Sequence, residues 1–278
     1  MSAPNHYENF PVGSIVLPRR LRRPIHAVYA FARYADDLAD EGDATPEERK
    51  SSLHFLAREL DKIGAGQMPE TALIQRLQTE AVVPFSLPLQ PFYDLLSAFE
   101  QDTHKTRYQH FGELVDYARR SANPVGRIIL HLYGQTDPQS VGQSDGICTA
   151  LQLINFWQDV AVDWQKNRVY LPQDDMAKFG VTEDDLAAGC MTPALRKLLA
   201  YECGRARKML YAGAPLGKRL KGRLGFELRL IILGGDRILQ KLAENQYDVF
   251  QKRPVLVWKD YWLMLKRAWQ KKISRNFN

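Results

Sequence analysis

The chain has 278 residues, 45% of them hydrophobic, and carries a formal net charge of +6 with a sequence pI near 9.1. That composition excludes a disordered or collagen-like chain and favours anionic partners, whether phosphates, acidic membrane surfaces or nucleic acid. The three cysteines, Cys148, Cys190 and Cys203, fit neither a disulfide framework nor a zinc site and read as reduced thiols of a cytosolic protein; the start lacks a basic-then-apolar leader, and no apolar run reaches the ~18 residues that span a bilayer.

In chain order, His6-Tyr7-Glu8-Asn9-Phe10-Pro11 is polar and aromatic, and Arg19, Arg20, Arg22 and Arg23 lie between Pro18 and Pro24. Pro24 suits the first turn of a helix. Ile25, Val28, Tyr29, Ala32 and Ala35 then recur at helical spacing to about Glu41, where Gly42 stops the helix. Thr45 is placed to cap a second helix, with Leu53, Leu56 and Leu60 inward and Gly64-Ala65-Gly66 at its end. A third begins near Glu70, Val83 to Pro88 reads as a loop, and Pro91 to Glu100 is helical again. Phe111 to Tyr133 is a helical pattern kinked at Ser121-Ala122-Asn123-Pro124. Gly134 to Gly146 reads as a polar loop, and Ile147 to Asp163 as a strong helix. Short helix starts follow at Asp174 and Thr182, then helices from Thr192, from Gly225 to Phe250, and from Val255 to Ile273 after a break at Arg253-Pro254. No run of strands and no repeat appear. The reading is all-α: one domain over 1–278, of about eight to ten helices.

Two stretches carry the chemistry. In Arg33-Tyr34-Ala35-Asp36-Asp37-Leu38-Ala39-Asp40, a helix puts Asp36, Asp37, Asp40 and Arg33 on one side. Carboxylates this close repel, and a divalent cation shared with an anionic partner relieves them; oxygen-only ligands suit Mg²⁺ bound together with substrate phosphates. A plain acidic helix end explains the stretch alone equally well. In Asn155-Phe156-Trp157-Gln158-Asp159-Val160-Ala161-Val162-Asp163, Asn155, Asp159 and Asp163 share one face, with Gln152 a turn earlier. Polar oxygens confined to one stripe of a largely apolar helix need a partner. Facing each other, the two acidic helices would bridge metal ions to a diphosphate.

Both segments, their order and separation, and the flanking Tyr117 and Arg168-Val169-Tyr170-Leu171-Pro172 resemble the squalene/phytoene synthase family. His6-Tyr7-Glu8-Asn9-Phe10-Pro11-Val12 and Arg119-Arg120-Ser121-Ala122-Asn123-Pro124-Val125-Gly126-Arg127 are similar to its bacterial hydroxysqualene synthase branch, which belongs to hopanoid biosynthesis. The resemblance implies a class I isoprenoid synthase helical bundle around a central cavity. It implies two or three Mg²⁺ ions on Asp36, Asp37, Asp40, Asn155, Asp159 and Asp163, and no NADPH. It also implies diphosphate or substrate contacts from His6, Arg33, Gln152, Arg168 and Tyr247, with Tyr117 in the pocket wall. Tyr7 and Asn9 depart from the hydroxyl residues the family often carries near its start. The implied substrate is presqualene diphosphate, with farnesyl diphosphate the alternative for a squalene or phytoene synthase; a non-catalytic helical assembly factor would be expected to lose the acidic motifs, which are intact. Tyr29, Phe31 and Phe156 are further candidates for the pocket wall, against ordinary core packing. Arg119, Arg120 and Arg127 read either as diphosphate ligands or as surface ion pairs, and Asp102, Arg107 and Tyr108 as a family loop or a solvated one. The last stretch, Val255 to Lys272, is aromatic on one side and basic on the other and suits contact with a membrane interface. The expected location is cytoplasmic, with peripheral contact at the inner face of the bacterial membrane. Scattered basic residues without a recognition motif speak against nucleic acid.

Overall fold

A computed structural model describes residues 18–271 and 273. Fourteen α-helices follow one another there, and the only β pairing among the described residues is an isolated bridge between Arg107 and Val169. The all-α expectation holds. The helix number exceeds eight to ten because several one- and two-turn helices, unreadable as periodic patterns, stand as separate elements.

Helix α1 (Arg19–Asp40) starts before Pro24, which lies buried within it. A proline in its second turn loses one backbone hydrogen bond but does not end the helix. Gly42, at φ +77, turns the chain away. Helix α2 (Pro46–Gly64) opens with a reciprocal cap: Glu48 N donates to Thr45 Oγ1 at 3.3 Å, and Thr45 N to Glu48 Oε2 at 2.8 Å. Helix α3 (Ala72–Leu77) runs through a π turn at Gln78–Val82 into α4 (Val83–Phe85), so Val83-Pro84-Phe85 is helical rather than a loop. The wider turn accommodates a proline that cannot donate.

Helix α5 (Gln90–Asp102) leads to α6 (Phe111–Ser121) and α7 (Asn123–Leu132), separated by the expected kink. Helix α8 (Pro138–Gln165) begins well inside the supposed Gly134–Gly146 loop. Asp137 caps it by accepting from Ser140 N at 3.0 Å, with Pro138 in the first turn. The polar residues there are not solvated: Ser140 and Ser144 are buried, and a Cβ on Gly126 of α7 would sit 2.5 Å from Ser144 Oγ. Small, polar residues mark a close helix contact here.

The remaining helices are α9 (Gln173–Phe179), α10 (Glu183–Ala187), α11 (Pro193–Gly213), α12 (Leu216–Arg219), α13 (Gly222–Glu244) and α14 (Trp258–Trp269). Helix α13 ends before Phe250 because Gln246 and Tyr247 adopt left-handed backbone, φ +57 and +62. Two apolar clusters organise the bundle. One joins α1, α2, α3 and α5 with Ile128 and Leu132 of α7; the other joins α6, α8, α9, α11 and α13. Helices α1 and α8, which carry the acidic stretches, therefore belong to different clusters, and the site forms where the clusters meet.

Candidate active site

On α1, Arg33 lies among the acidic side chains. Its Nη2 is 2.7 Å from Asp37 Oδ1 and 3.1 Å from Glu41 Oε1, and its Nη1 is 3.7 Å from Asp36 Oδ2. On α8, Gln152, Asn155, Asp159 and Asp163 form a half-buried stripe, while Leu153, Ile154, Trp157 and Val160 are buried on the other sides. Asp159 is bound by Arg253, through Nε to Oδ1 and through Nη2 to Oδ2 at 3.1 Å. Burial, and then the negative charge of Asp159, push the Asp163 carboxyl up to about 7; Arg168 and Lys166 oppose the rise and Asp40 adds to it. Asp40 of α1 and Asp163 of α8 thus act on one another.

Arg168 joins the two sides. It donates to both carboxylate oxygens of Asp40, Nη1 reaching Oδ2 at 3.2 Å, and its Nη2 lies 3.4 Å from the Asp102 carbonyl. Burial works against the Asp40 charge, but the hydrogen bond and charge of Arg168 outweigh it and hold that carboxyl below its ordinary range. Asp102, at the end of α5, behaves in the opposite way. Burial raises it to about 7, the Tyr117 hydroxyl donating to Oδ2 at 2.7 Å only partly compensates, and Oδ1 is enclosed without a hydrogen bond.

Behind these charges stands an aromatic wall. Phe156 and Tyr170 stack with centroids 3.7 Å apart, Tyr108 stacks on Tyr170 at 5.6 Å, and Tyr117 tilts against Tyr108 and Phe156 at 5.6 and 6.1 Å. Along α1 runs a cleft of about 260 Å³, lined by Ile25, Val28, Tyr29 and Ala32, by Leu95 and Phe99 of α5, and by Val125 and Ile129 of α7. Arg33 and Asp36 of α1 and Ser121 of α6 are its polar lining.

Arg33 and Asp36 line this cleft; Asp37 and Asp40 follow on α1, Arg168 on Asp40 links them to the Gln152, Asn155, Asp159 and Asp163 stripe of α8, and Tyr117 stands on α6. His6, with Tyr7 and Asn9, lies outside the described residues. Tyr247 packs on the larger apolar cluster, where the charges acting on its hydroxyl are those of Cys203 and Arg207. Phe31 is a fully buried core residue, edge-on to Phe92. Arg119 and Arg120 pair with Asp116, and Arg127 with Asp145, which accounts for them as ion pairs. The stretch around Arg107 and Tyr108 is not a solvated loop. Tyr108 is 1% exposed, and Arg107 binds Glu183 and the Asn167 carbonyl. Arg253, Lys166 and the ring of Tyr170 join the site without having been singled out by the sequence reading. The Arg253-Pro254 break shows only that a helix ends there; the alternation of Arg168 and Tyr170, which sends both side chains the same way, is a usable signal.

A helical bundle with two acidic helix faces joined through Arg168, and a hydrocarbon-lined cleft along one of them, has the class I isoprenoid synthase fold, and its structural neighbours are squalene and dehydrosqualene synthases. The chain belongs to the squalene/phytoene synthase family, whose signature matches residues 3–260. The hydroxysqualene synthase of Rhodopseudomonas palustris is 37% identical over 238 residues, 84% of this chain and 79% of that protein. That of Sinorhizobium fredii is 35% identical over 84% of this chain and 79% of its own. The crystal structure of squalene synthase HpnC from Alicyclobacillus acidocaldarius superimposes with a TM-score of 0.81 at 37% identity, over 87% of this chain and 90% of that one. The chain is a prenyl diphosphate-using enzyme.

The family is generally Mg²⁺-dependent, and the residues present fit a hard cation. Every donor is an oxygen, and burial together with the Asp159 charge pushes Asp163 up. Among the described residues no three acidic, His or Cys side chains gather tightly enough to cage an ion by themselves. Mg²⁺ is commonly bound through one or two protein carboxylates, with phosphate oxygens and water completing its shell.

Proposed function

We propose that the chain converts presqualene diphosphate to hydroxysqualene: diphosphate departs, the cation left behind rearranges, and water quenches it. The observation that carries this reading is the cleft along α1, lined mostly by hydrocarbon with Arg33, Asp36 and Ser121 as its polar residues, the mixed polarity of a prenyl diphosphate. Relatives named hydroxysqualene synthase, 33–37% identical, support the choice of reaction.

Asp36, Asp37, Asp40, Asn155, Asp159 and Asp163 would hold two or three Mg²⁺ ions, which supply the charge neutralisation that makes diphosphate a competent leaving group. Arg33, Arg168 and Arg253 already lie against these carboxylates, so their guanidinium forks are within reach of an anion placed between α1 and α8. Gln152 would add a polar contact to the same anion, a role also proposed for His6, which lies outside the described residues. The faces of Tyr117, Phe156 and Tyr170 stabilise positive charge without offering a nucleophile. The Tyr117 hydroxyl donates to Asp102.

No reductant enters this scheme. The test is incubation with presqualene diphosphate and Mg²⁺ without NADPH, with hydroxysqualene as the expected product. Consumption of farnesyl diphosphate alone, or a requirement for NADPH, would instead support a squalene or phytoene synthase; relatives named 15-cis-phytoene synthase are 27–31% identical. Substrate and product are both rich in hydrocarbon, and no helix among the described residues is long and apolar enough to cross a membrane. The same reading therefore has the enzyme work peripherally at the inner face of the membrane.

A further inference from the structure

Helix α14 is docked with its aromatic side outward. Toward the protein it presents Asp260, Met264 and Ala268, each at most 5% exposed. Asp260 accepts from Arg237 Nε at 2.7 Å and Val257 N at 2.8 Å and pairs with Lys241 Nζ at 2.7 Å. The Ala268 carbonyl accepts from Arg229 Nε at 2.8 Å. Polar anchors thus hold the inner side. Trp258, Trp262 and Trp269 are 71, 59 and 81% exposed, with Tyr261 and Leu265 between them at 38 and 41%. These residues recur at helical spacing, so they form one stripe. Single exposed apolar residues are ordinary, but a contiguous aromatic stripe marks an interaction surface.

Charge selects the partner. From Trp258 to Lys271 the only acid is Asp260, which is buried and paired. The outer side therefore carries only cations, the exposed Lys259, Lys266 and Lys271. A second copy docking symmetrically on this stripe would bring lysines against lysines. An anionic lipid surface attracts them, and indole rings favour the headgroup level, where the ring is buried and the N–H stays wet.

We propose that α14 is a docking surface for an anionic bilayer, entering the headgroup layer through Trp258, Trp262 and Trp269 with Lys259, Lys266 and Lys271 against lipid phosphates. The segment leading into it is tied to α8 by Arg253 on Asp159 and by Gln158 Nε2 donating to the Pro254 carbonyl. Docking therefore fixes the orientation of the cleft to the membrane. This deepens the peripheral placement argued above, but it stands on the α14 surface and is read by lipid binding, not turnover.

The test uses the full chain with vesicles of phosphatidylcholine alone and of phosphatidylcholine mixed with phosphatidylglycerol, followed by co-sedimentation and tryptophan emission. Binding with a blue shift is expected on the mixed vesicles and much less on the neutral ones. Combining Trp258→Ala, Trp262→Ala and Trp269→Ala should lower partitioning about tenfold or more. Lys259→Glu with Lys266→Glu should abolish the preference for anionic lipid, each lysine contributing roughly fivefold. Both variants should keep wild-type helicity and turnover of detergent-dispersed substrate. The proposal is overturned if wild type stays in the supernatant with the mixed vesicles, or if the tryptophan variant binds them as wild type does. A concentration-dependent dimer that those substitutions dissociate, without lipid binding, would assign the stripe to a second copy. Lipid binding without hydroxysqualene formation would sink the proposed reaction and leave the docking surface standing.

Discussion

The substitution Asp163→Asn should stabilise the metal-free protein near pH 8 and remove much of its stabilisation by Mg²⁺ and pyrophosphate. Burial and the Asp159 charge raise the Asp163 carboxyl from 3.8 to about 7. Between those values the folded chain holds a proton that the unfolded chain has released, so unfolding free energy falls as pH rises and levels off above about 7. At about 1.4 kcal/mol for each tenfold change in proton affinity, the gap sets a ceiling of about 4 kcal/mol. Solvent reaching the half-buried carboxylate reduces this to about 1–3 kcal/mol. The amide keeps the shape and removes the charge. In EDTA, thermal unfolding should show the Asp163→Asn variant melting about 2–6 °C above wild type at pH 8, the two curves converging toward pH 5. With Mg²⁺ and pyrophosphate added, wild type should overtake the variant, since ligand bound only by the folded state raises its stability. A variant no more stable than wild type at pH 8, or offset from it equally at pH 5 and pH 8, would refute the electrostatic account.

Asp37→Ala and Asp159→Ala should each lower turnover at least about a hundredfold while leaving the circular dichroism spectrum unchanged; activity retained by either would remove that residue from the metal set. Val28→Phe puts a ring into the cleft along α1, so it should depress turnover of the full-length substrate more than inhibition by free pyrophosphate, as steady-state kinetics would show. Gly213→Ala would drive a Cβ into the Gln143 carbonyl oxygen, where α11 crosses α8. Urea denaturation should show a loss of about 1–3 kcal/mol from overpacking.

The parts of the fold legible in the sequence are those that local chemistry determines. Thr45 with Glu48 announces a helix start, Gly42 and Gly66 announce stops, and Pro124 announces the kink between α6 and α7, because caps, left-handed turns and missing donors act within a few residues. The start of α8 escapes such a reading for the opposite reason. The composition of 138–146 is that of a loop, yet Ser140 and Ser144 are buried because α7 approaches closely at Gly126. That contact is tertiary and leaves only weak local traces, Asp137-Pro138 among them. Similarly, the carboxylates of the two acidic helices can be read from their i, i+4 spacing, whereas Arg168 reaches Asp40 across 128 positions and Arg253 reaches Asp159 across 94. Periodicity carries no information about such pairs.

These long-range pairs bear on what an acidic helix face means. A carboxylate stripe alone does not distinguish a cation site from one half of a salt-bridge network, and here both descriptions apply to the same residues. Asp40 and Asp159, one from each helix, are neutralised by arginines from elsewhere in the chain. Asp163 and Asp102 remain strongly raised, and Asp102 Oδ1 is enclosed without a hydrogen bond. A structural network would be expected to satisfy its buried members, because each unsatisfied one costs stability. The compensation stops short at Asp163 and Asp102, beside the Asp40 and Asp159 carboxylates that Arg168 and Arg253 do compensate. That uneven pattern, more than the number of acids, favours the proposed metal–diphosphate site over a plain acidic helix end.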